Sequence, residues 1–361
     1  MTVLNAKDFN VIGDGQQHNT LELMALRDHI RAGPDWVWHV EFEPGHYCYA
    51  DNRWALFGDR TVILDFNNSK VECFADAILP LGAGPISWVA EYPATPTVAN
   101  RTTPPGHQIE DTKVGQDVAR LVIGADGFVP GDRVLVAGYI QQTSQDGTEG
   151  WGWPPNFRAF EWKRIIEVID RHTLRFEDPF RFEYLKSWPD LVHSFNGQPY
   201  GAPRIWRCRL DDGRHINRSL TIRNANFIRG RDRAPGTFTP IAPHGWHLTL
   251  ENCTASPGTV CWPSEAKRND YIDCQLWCEQ VEMDKIVESV RFERCEIRNR
   301  LSSGGAGVLD ATFRDCNFYG FVQGTPRRSW TVDGCHFYAG VHLSTGLTNT
   351  PFALNSKASA M

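Results

Sequence analysis

The sequence predicts an all-β chain wound as a right-handed parallel β-helix, and three observations in its last third carry that expectation. Cysteines recur at 253, 274, 295, 316 and 335, in steps of 21, 21, 21 and 19. Each sits in the same setting, as in Leu250-Glu251-Asn252-Cys253, Phe292-Glu293-Arg294-Cys295 and Phe313-Arg314-Asp315-Cys316. A repeat of this length signals stacked units, none of which buries its apolar face alone. Within each unit the alternation has period two: Phe292, Arg294 and Glu296 share one parity, Glu293, Cys295 and Ile297 the other. That is the mark of strands. A second apolar stack, Val260, Val281, Leu301, Val322 and Val341, follows each cysteine by six or seven residues.

Short strands that pair with the same strand of the next turn lie ~4.8 Å apart and line identical side chains into ladders. Free cysteine acts there as a small hydrophobe. The five cysteines are therefore expected reduced, buried and stacked. An earlier copy, Ile222-Arg223-Asn224-Ala225-Asn226-Phe227, holds alanine in the cysteine slot. The Leu-x-x-Leu-x-Leu pattern of a leucine-rich repeat is absent.

A solenoid needs its ends covered, because they expose unpaired strand edges. Asn19-Thr20-Leu21-Glu22 has the form of a helix N-cap with a glutamate three residues on. Leu23, Leu26 and Ile30 give the helix an apolar face, and Gly33-Pro34 stops it. This helix is expected to cap the N-terminal end. Trp38–Phe42, Thr61–Phe66 and Lys70–Phe74 read as the first rungs.

Phe9-Asn10-Val11-Ile12-Gly13-Asp14-Gly15, then Asn19-Thr20, the short helix and Phe42-Glu43-Pro44-Gly45-His46-Tyr47 resemble the opening of the pectate-lyase-like superfamily. The resemblance covers residues 8–75 in motif and 215–345 in periodicity. The Asp-Asp usual before the threonine is His18-Asn19 here, a change that falls in the cap. The superfamily includes polysaccharide lyases, polygalacturonase-like hydrolases and phage tailspike depolymerases. The resemblance implies the fold, a polysaccharide or oligosaccharide substrate, and a chain that is monomeric, or trimeric if tailspike-like. A non-catalytic glycan-binding or tailspike-like module is the alternative to an enzyme.

Composition narrows the field. A net charge of −6 over 361 residues lacks the basic excess of a nucleic-acid binder. No run of 18 apolar residues exists to span a membrane. Met1 to Lys7 lacks the apolar core of a signal peptide. With the cysteines expected free, a cytoplasmic chain is the expectation, and a secreted one whose leader was removed is the alternative. Ten cysteines in a chain this long do not make a disulfide scaffold. Cys274 and Cys278 lack a second pair at zinc spacing. No metal or cofactor is expected, and nothing in the pattern indicates calcium.

Residues 81–205 break the rhythm. A proline-rich stretch precedes strand-like runs at Ala119–Ile123, Gly131–Val136, Ile165–Asp170 and Thr173–Phe176. They suggest a small β module inserted between rungs. The expected organisation is therefore 1–80 for cap and first rungs, 81–205 for the insert, 206–345 for regular rungs and 346–361 for a tail. Trp151 and Trp153 lie in a Gly/Pro-rich loop of the insert and suit either stacking on sugar rings or packing.

The strongest charge signal runs from Arg204 to Arg233, where nine arginines face three aspartates. Guanidinium forks suit carboxylate or sulfate recognition, so this stretch reads as an anion-binding face or as solvated outward positions. Beside it, three consecutive rungs bring long loops: Arg229 to His247, Trp262 to Asp270, and Glu279 to Lys285. This groove is the expected active site. Elimination from a uronate needs a base, His244 or Lys267, and cations to neutralise the enolate, Arg231, Arg233 and Arg268. Hydrolysis needs two carboxylates, for which Glu265, Asp270, Glu282 and Asp284 are candidates. Arg229, Trp262, Trp151 and Trp153 complete the expected substrate contacts. Elimination is slightly favoured because of the arginines.

Overall fold

The computed structural model describes residues 1–49, 52–73, 106–139, 157–188, 202–207, 217–230, 245–257, 260–261, 266–278, 280–282, 287–303, 308–324, 329–339, 341–343 and 352–358. The chain divides into two compact units, one of Met1–Ile78 with Asn217–Met361, the other of Leu79–Ile216.

The first unit opens with β1 (Thr2–Asn5), β2 (Asp14–His18), α1 (Thr20–Ala32), β3 (Val37–Glu41), β4 (His46–Tyr49) and β5 (Thr61–Cys73). Leu23, Leu26 and Ile30 of α1 are buried in one core with Trp38, Val40 and Phe42. Asn19 does not cap the helix with its side chain. Its amide instead grips the preceding loop, accepting from the Ile12 N–H (2.7 Å) and donating to the Ile12 carbonyl (2.9 Å). Gly33 ends α1 in an extended conformation, φ −68°, so no left-handed C-cap forms and Pro34 does the stopping.

The second unit is an antiparallel sheet of β6 (His107–Gln108), β7 (Val118–Arg120), β8 (Arg133–Tyr139), β9 (Phe157–Asp170), β10 (Thr173–Phe176) and β11 (Arg204–Arg207). Its order is β6-β11-β8-β9-β10-β7. Ile109, Val134, Val136, Ile165, Leu174, Phe176, Tyr184 and Ile205 form its core. A buried ion pair lies along β9 of this sheet. Lys163 Nζ lies 2.9 Å from Glu161, and both side chains are almost fully enclosed. Glu161 also accepts from the Arg181 and Phe182 amides and the Tyr184 hydroxyl, while Lys163 donates to the Asp178 and Pro179 carbonyls. A buried pair is tolerable only when satisfied in this way.

After that unit the first sheet resumes where it stopped, because β12 (Asn217–Arg229) pairs in parallel with β5. Then come β13 (Gly245–Glu251), β14 (Thr254–Ala255), β15 (Val260–Cys261), β16 (Ala266–Ile272), β17 (Gln275–Leu276), β18 (Gln280–Glu282), β19 (Val287–Glu293), β20 (Glu296–Ile297) and β21 (Arg300–Ser303). β22 (Val308–Arg314), β23 (Asn317–Phe318), β24 (Val322–Gly324), β25 (Ser329–Phe337), β26 (Val341–Leu343) and β27 (Phe352–Ala358) complete the chain. Parallel pairing runs β1-β3-β5-β12-β13-β16-β19-β22-β25 and on to β27, a solenoid of stacked rungs. The β15-β18-β21-β24-β26 sheet supplies another side of each rung. One detail differs from the sequence reading: Cys261, not Val260, is in register with Val281. The spacing after Cys253 is longer by one residue than the later copies suggest.

From β12 to β25 each rung bends at one residue with positive φ, at Asn224, Asn252, Asp273, Arg294, Asp315 and Gly334, whereas β5 uses two, Asn67 and Asn68. Asn, Asp and Gly tolerate that left-handed geometry best. The next residue turns inward, giving the column Ala225, Cys253, Cys274, Cys295, Cys316 and Cys335. The five cysteines are buried and form no disulfide. Their thiols donate to carbonyls of the same and the preceding rung, as Cys295 does to Glu293 and Tyr271 at 3.4 and 3.3 Å. Contacts with neighbouring thiols, and then burial, push the Cys274 and Cys316 thiols well up, while the same thiol contacts lower Cys295 and Cys335. Beside the thiols, Tyr271, Phe292, Phe313 and Trp330 stack ring on ring at centroid spacings of 4.5, 5.2 and 5.1 Å.

Candidate functional site

Parity decides which side chains leave the solenoid. In β13, β16 and β19 the register column Leu250, Tyr271 and Phe292 faces inward, and the residues on the opposite parity of each strand face out. Register then stacks the outward residues: His247 against Arg268 and Ser289, Thr249 against Asp270 and Arg291, Glu251 against Ile272 and Glu293.

The centre of this patch is Asp270, whose side chain is only 12 % exposed. Arg268 approaches it from its own strand, with Nε 2.9 Å and 2.8 Å from the two carboxylate oxygens. Arg291 approaches from the next rung at 3.3 Å and reaches on to Glu293, also at 3.3 Å. Outside β19, Glu293 meets Arg294, which grips Asp273 with two hydrogen bonds of 2.7 and 2.9 Å. That grip holds the Asp273 carboxyl below the usual carboxylate range and raises the Arg294 guanidinium, first through Asp273 and then through Glu293. The effect is a row of arginines anchored upright by carboxylates, with the exposed imidazole of His247 at its edge. Arg268 spends only its Nε on Asp270 among the described residues, which leaves its terminal fork for an outside acceptor.

The expected site residues distribute unevenly. Arg268 and Asp270 stand at the centre of the patch. Lys267 is their neighbour in β16 but alternates to the other side, where its ammonium lies 5.1 Å from the Trp246 ring centroid. Arg229 is exposed at the end of β12, in register with Cys73. Glu282 ends β18. His244, Glu265, Asp284, Arg231, Arg233, Trp262, Trp151 and Trp153 lie outside the described residues, as do Glu279 and Lys285. The arginine-rich stretch is not one stripe. Arg204 and Arg207 belong to β11 in the second unit, where they donate to the Gly106 and Gly127 carbonyls. They sit there because the insert's last strand extends beyond residue 205.

Arg291 and Glu293 were missed by the sequence reading, yet the signal was present. They stand 21 residues after Asp270 and Ile272, one period on. A second missed group is His46, Cys48 and Glu72, whose ligand-type atoms all lie within 4.8 Å of one another.

No family model matches the chain, and no curated protein sequence matches it. Among solved structures it is similar to the tailspike protein gp49 from Pseudomonas phage LKA1, with a TM-score of 0.44 and 10% identity over 93% of this chain. It is also similar to the gp54 tailspike of Acinetobacter baumannii bacteriophage AP22, solved in complex with A. baumannii capsular saccharide (TM-score 0.30, 10% identity, 99% of this chain and 70% of that one). A third is the Pseudomonas phage phi297 tailspike gp61 (TM-score 0.29, 12% identity, 94% of this chain and 75% of that one). The chain spans 64% of the LKA1 protein's length.

Proposed function

We propose that the outer face of β13, β16 and β19 binds an acidic polysaccharide and that the chain cleaves it, by β-elimination ahead of hydrolysis. The observation that carries this reading is Asp270 holding two arginines, from its own rung and the next, beside His247. Pre-positioned guanidinium forks bind carboxylate or sulfate at little ordering cost. Sugars of a chain laid across the rungs would present one such group to each fork.

In the elimination, a base removes the proton α to the uronate carboxylate while the arginines stabilise the enolate that forms. Arg268 and Arg291 take the second role. His247 is the described residue placed for the first; of the bases expected from the sequence, Lys267 alternates away from this face and His244 lies outside the described residues. In a hydrolysis, Asp270 is occupied by Arg268 and Arg291, so Glu265 and Asp284 would carry the two carboxylate roles.

The test is turnover on a panel of acidic and neutral polysaccharides, following both ultraviolet absorbance of unsaturated uronates and release of reducing ends. Elimination raises both signals, hydrolysis only the second. His244→Ala, Lys267→Ala and His247→Ala are compared with Glu265→Gln and Asp284→Asn. Loss of the true base lowers turnover by ~100-fold or more. If all five variants turn over like the parent, the site lies elsewhere.

A glycan-binding module without turnover is the second reading. What favours it is that Arg268, Asp270, Arg291 and Glu293 already balance one another in charge. A trimeric mass with inactivity on every glycan tested would support it.

A further inference from the structure

The N-terminal rungs hold a second cluster, remote in sequence from the arginine patch and of different chemistry. His46 and Cys48 stand two apart in β4 and so share a face. Glu72 in β5 is the direct register partner of Cys48. Two adjacent strands thereby bring an imidazole, a thiol and a carboxylate together. His46 Nε2 lies 2.7 Å from Glu72 Oε2, and Cys48 Sγ lies 3.8 Å from the same oxygen. The Glu72 side chain is 3% exposed and that of His46 27%, so the cluster is enclosed but reachable from the imidazole side.

Two further observations mark this as more than an ion pair. Among the described residues Nε2 of His46 is buried and has no hydrogen bond, although it lies 2.7 Å from Glu72 Oε2. A buried imidazole nitrogen without a hydrogen bond, beside a thiol directed at the same carboxylate oxygen, has the arrangement of ligands about one ion. The ring is also seated: a side chain at Gly15 would come within 2.6 Å of His46 Nδ1, so the glycine admits the imidazole in this position. Close by, Asp14 is held below the usual carboxylate range by the Gln17 and Gln16 amides, with His46 adding to the effect.

We propose that His46, Cys48 and Glu72 form a binding site for one thiophilic divalent cation of the zinc class. Nitrogen, sulfur and oxygen from these three residue types are the zinc donor set. Tetrahedral bonds of ~2.0–2.3 Å place donors roughly 3.3–3.8 Å apart. The Cys48–Glu72 distance already meets that, and the His46–Glu72 distance opens by about half an ångström. Binding breaks the Cys48 S–H bond, forms a metal–thiolate bond and releases one proton to solvent. Water supplies the fourth ligand through the side on which His46 is exposed. Such an ion would tie β4 to β5 at the start of the solenoid.

The full-length chain, stripped with chelator and dialysed, is titrated with Co2+ and then Zn2+. One equivalent of Co2+ should give visible ligand-field bands and a near-ultraviolet thiolate-to-cobalt band, both abolished by one equivalent of Zn2+. Cys48→Ser should remove the thiolate band, and Glu72→Gln should weaken binding at least tenfold. Zn2+ should raise the thermal midpoint of the parent and not of Cys48→Ser. His46→Gln, at the more exposed position, should fold as the parent does by circular dichroism and still lose tight binding. Absence of stoichiometric uptake by the parent overturns the proposal. So does a thiolate band that survives in Cys48→Ser, because the metal would then sit on other cysteines, or tight binding retained by folded His46→Gln.

Discussion

The solenoid and the inserted sheet are both built of strands, yet they find their neighbours by opposite rules. In the solenoid the residue in register with Phe292 is Phe313, 21 positions on, and Phe313 in turn pairs with Val332 and stacks on the Trp330 ring. In the insert, the residue beside Glu161 is Val136, across an antiparallel pairing, and the local chemistry changes at every step. Parallel stacking therefore repeats one solution, thiol on thiol and ring on ring. The antiparallel sheet solves each position separately, down to one buried ion pair. What this teaches is that a substitution in the solenoid should be felt by the rungs on both sides, whereas one in the insert should stay in its own unit.

The largest effects should come from the two cores. Phe313→Ala opens a gap between Phe292 and Trp330 and should cost roughly 3–5 kcal/mol. Glu161→Ala strands Lys163 in the insert and should cost about as much, ~3–5 kcal/mol. Calorimetry that resolves the two units should show Phe313→Ala lowering the solenoid transition and Glu161→Ala the insert transition. If either variant shifts both transitions equally, the units do not unfold independently and the contrast fails.

A smaller effect is expected in the cysteine column. Cys295→Ser keeps a donor for the Tyr271 carbonyl but buries a more polar group, for a loss of about 1–3 kcal/mol by denaturant titration. Thiol counting in denaturant without reductant should find Cys253, Cys274, Cys295, Cys316 and Cys335 all reactive. Any shortfall among them would mean that the column had oxidised.

The smallest effect is on the outside, at Arg294 and Asp273. The Asp273 carboxyl is held below its ordinary value by Arg294, so its contribution is complete above the ordinary carboxylate range, ~3.9. It is lost as pH falls through the lowered value, when the folded state takes up the proton. Arg294→Ala should therefore lower neutral stability slightly and leave stability in strong acid unchanged, which flattens the acid limb of the curve. An unaltered acid limb would show that the bridge contributes nothing.

The same contrast explains what could be read from the sequence. Stacked rungs impose one environment on each column, so period and parity placed the cysteines and the stack of Val281, Leu301, Val322 and Val341. The period failed by one residue at Cys261, where a rung is longer, and it was not carried forward from Asp270 to Arg291. Arg204 and Arg207 group by sequence with the later arginines in one charged stretch because charge composition does not reveal where an insert ends; strand pairing does. Asn19 had the residue type of a helix cap, but its side chain was drawn off by the Ile12 backbone, a contact that no local pattern encodes. His46 and Cys48 looked unremarkable because their third partner, Glu72, lies 24 residues away across a strand pair.

The central claim is that arginines anchored on Asp270 make the outer face a reader of acidic glycans. Its most direct test is affinity electrophoresis of the parent and the Arg268→Ala/Arg291→Ala double variant through gels containing polygalacturonate, alginate, heparin or neutral dextran, at low and high salt. At least one acidic polymer should retard the parent, salt should weaken that retardation, dextran should have no effect, and the double variant should run freely. Equal retardation of parent and double variant, or retardation by dextran alone, would contradict the account.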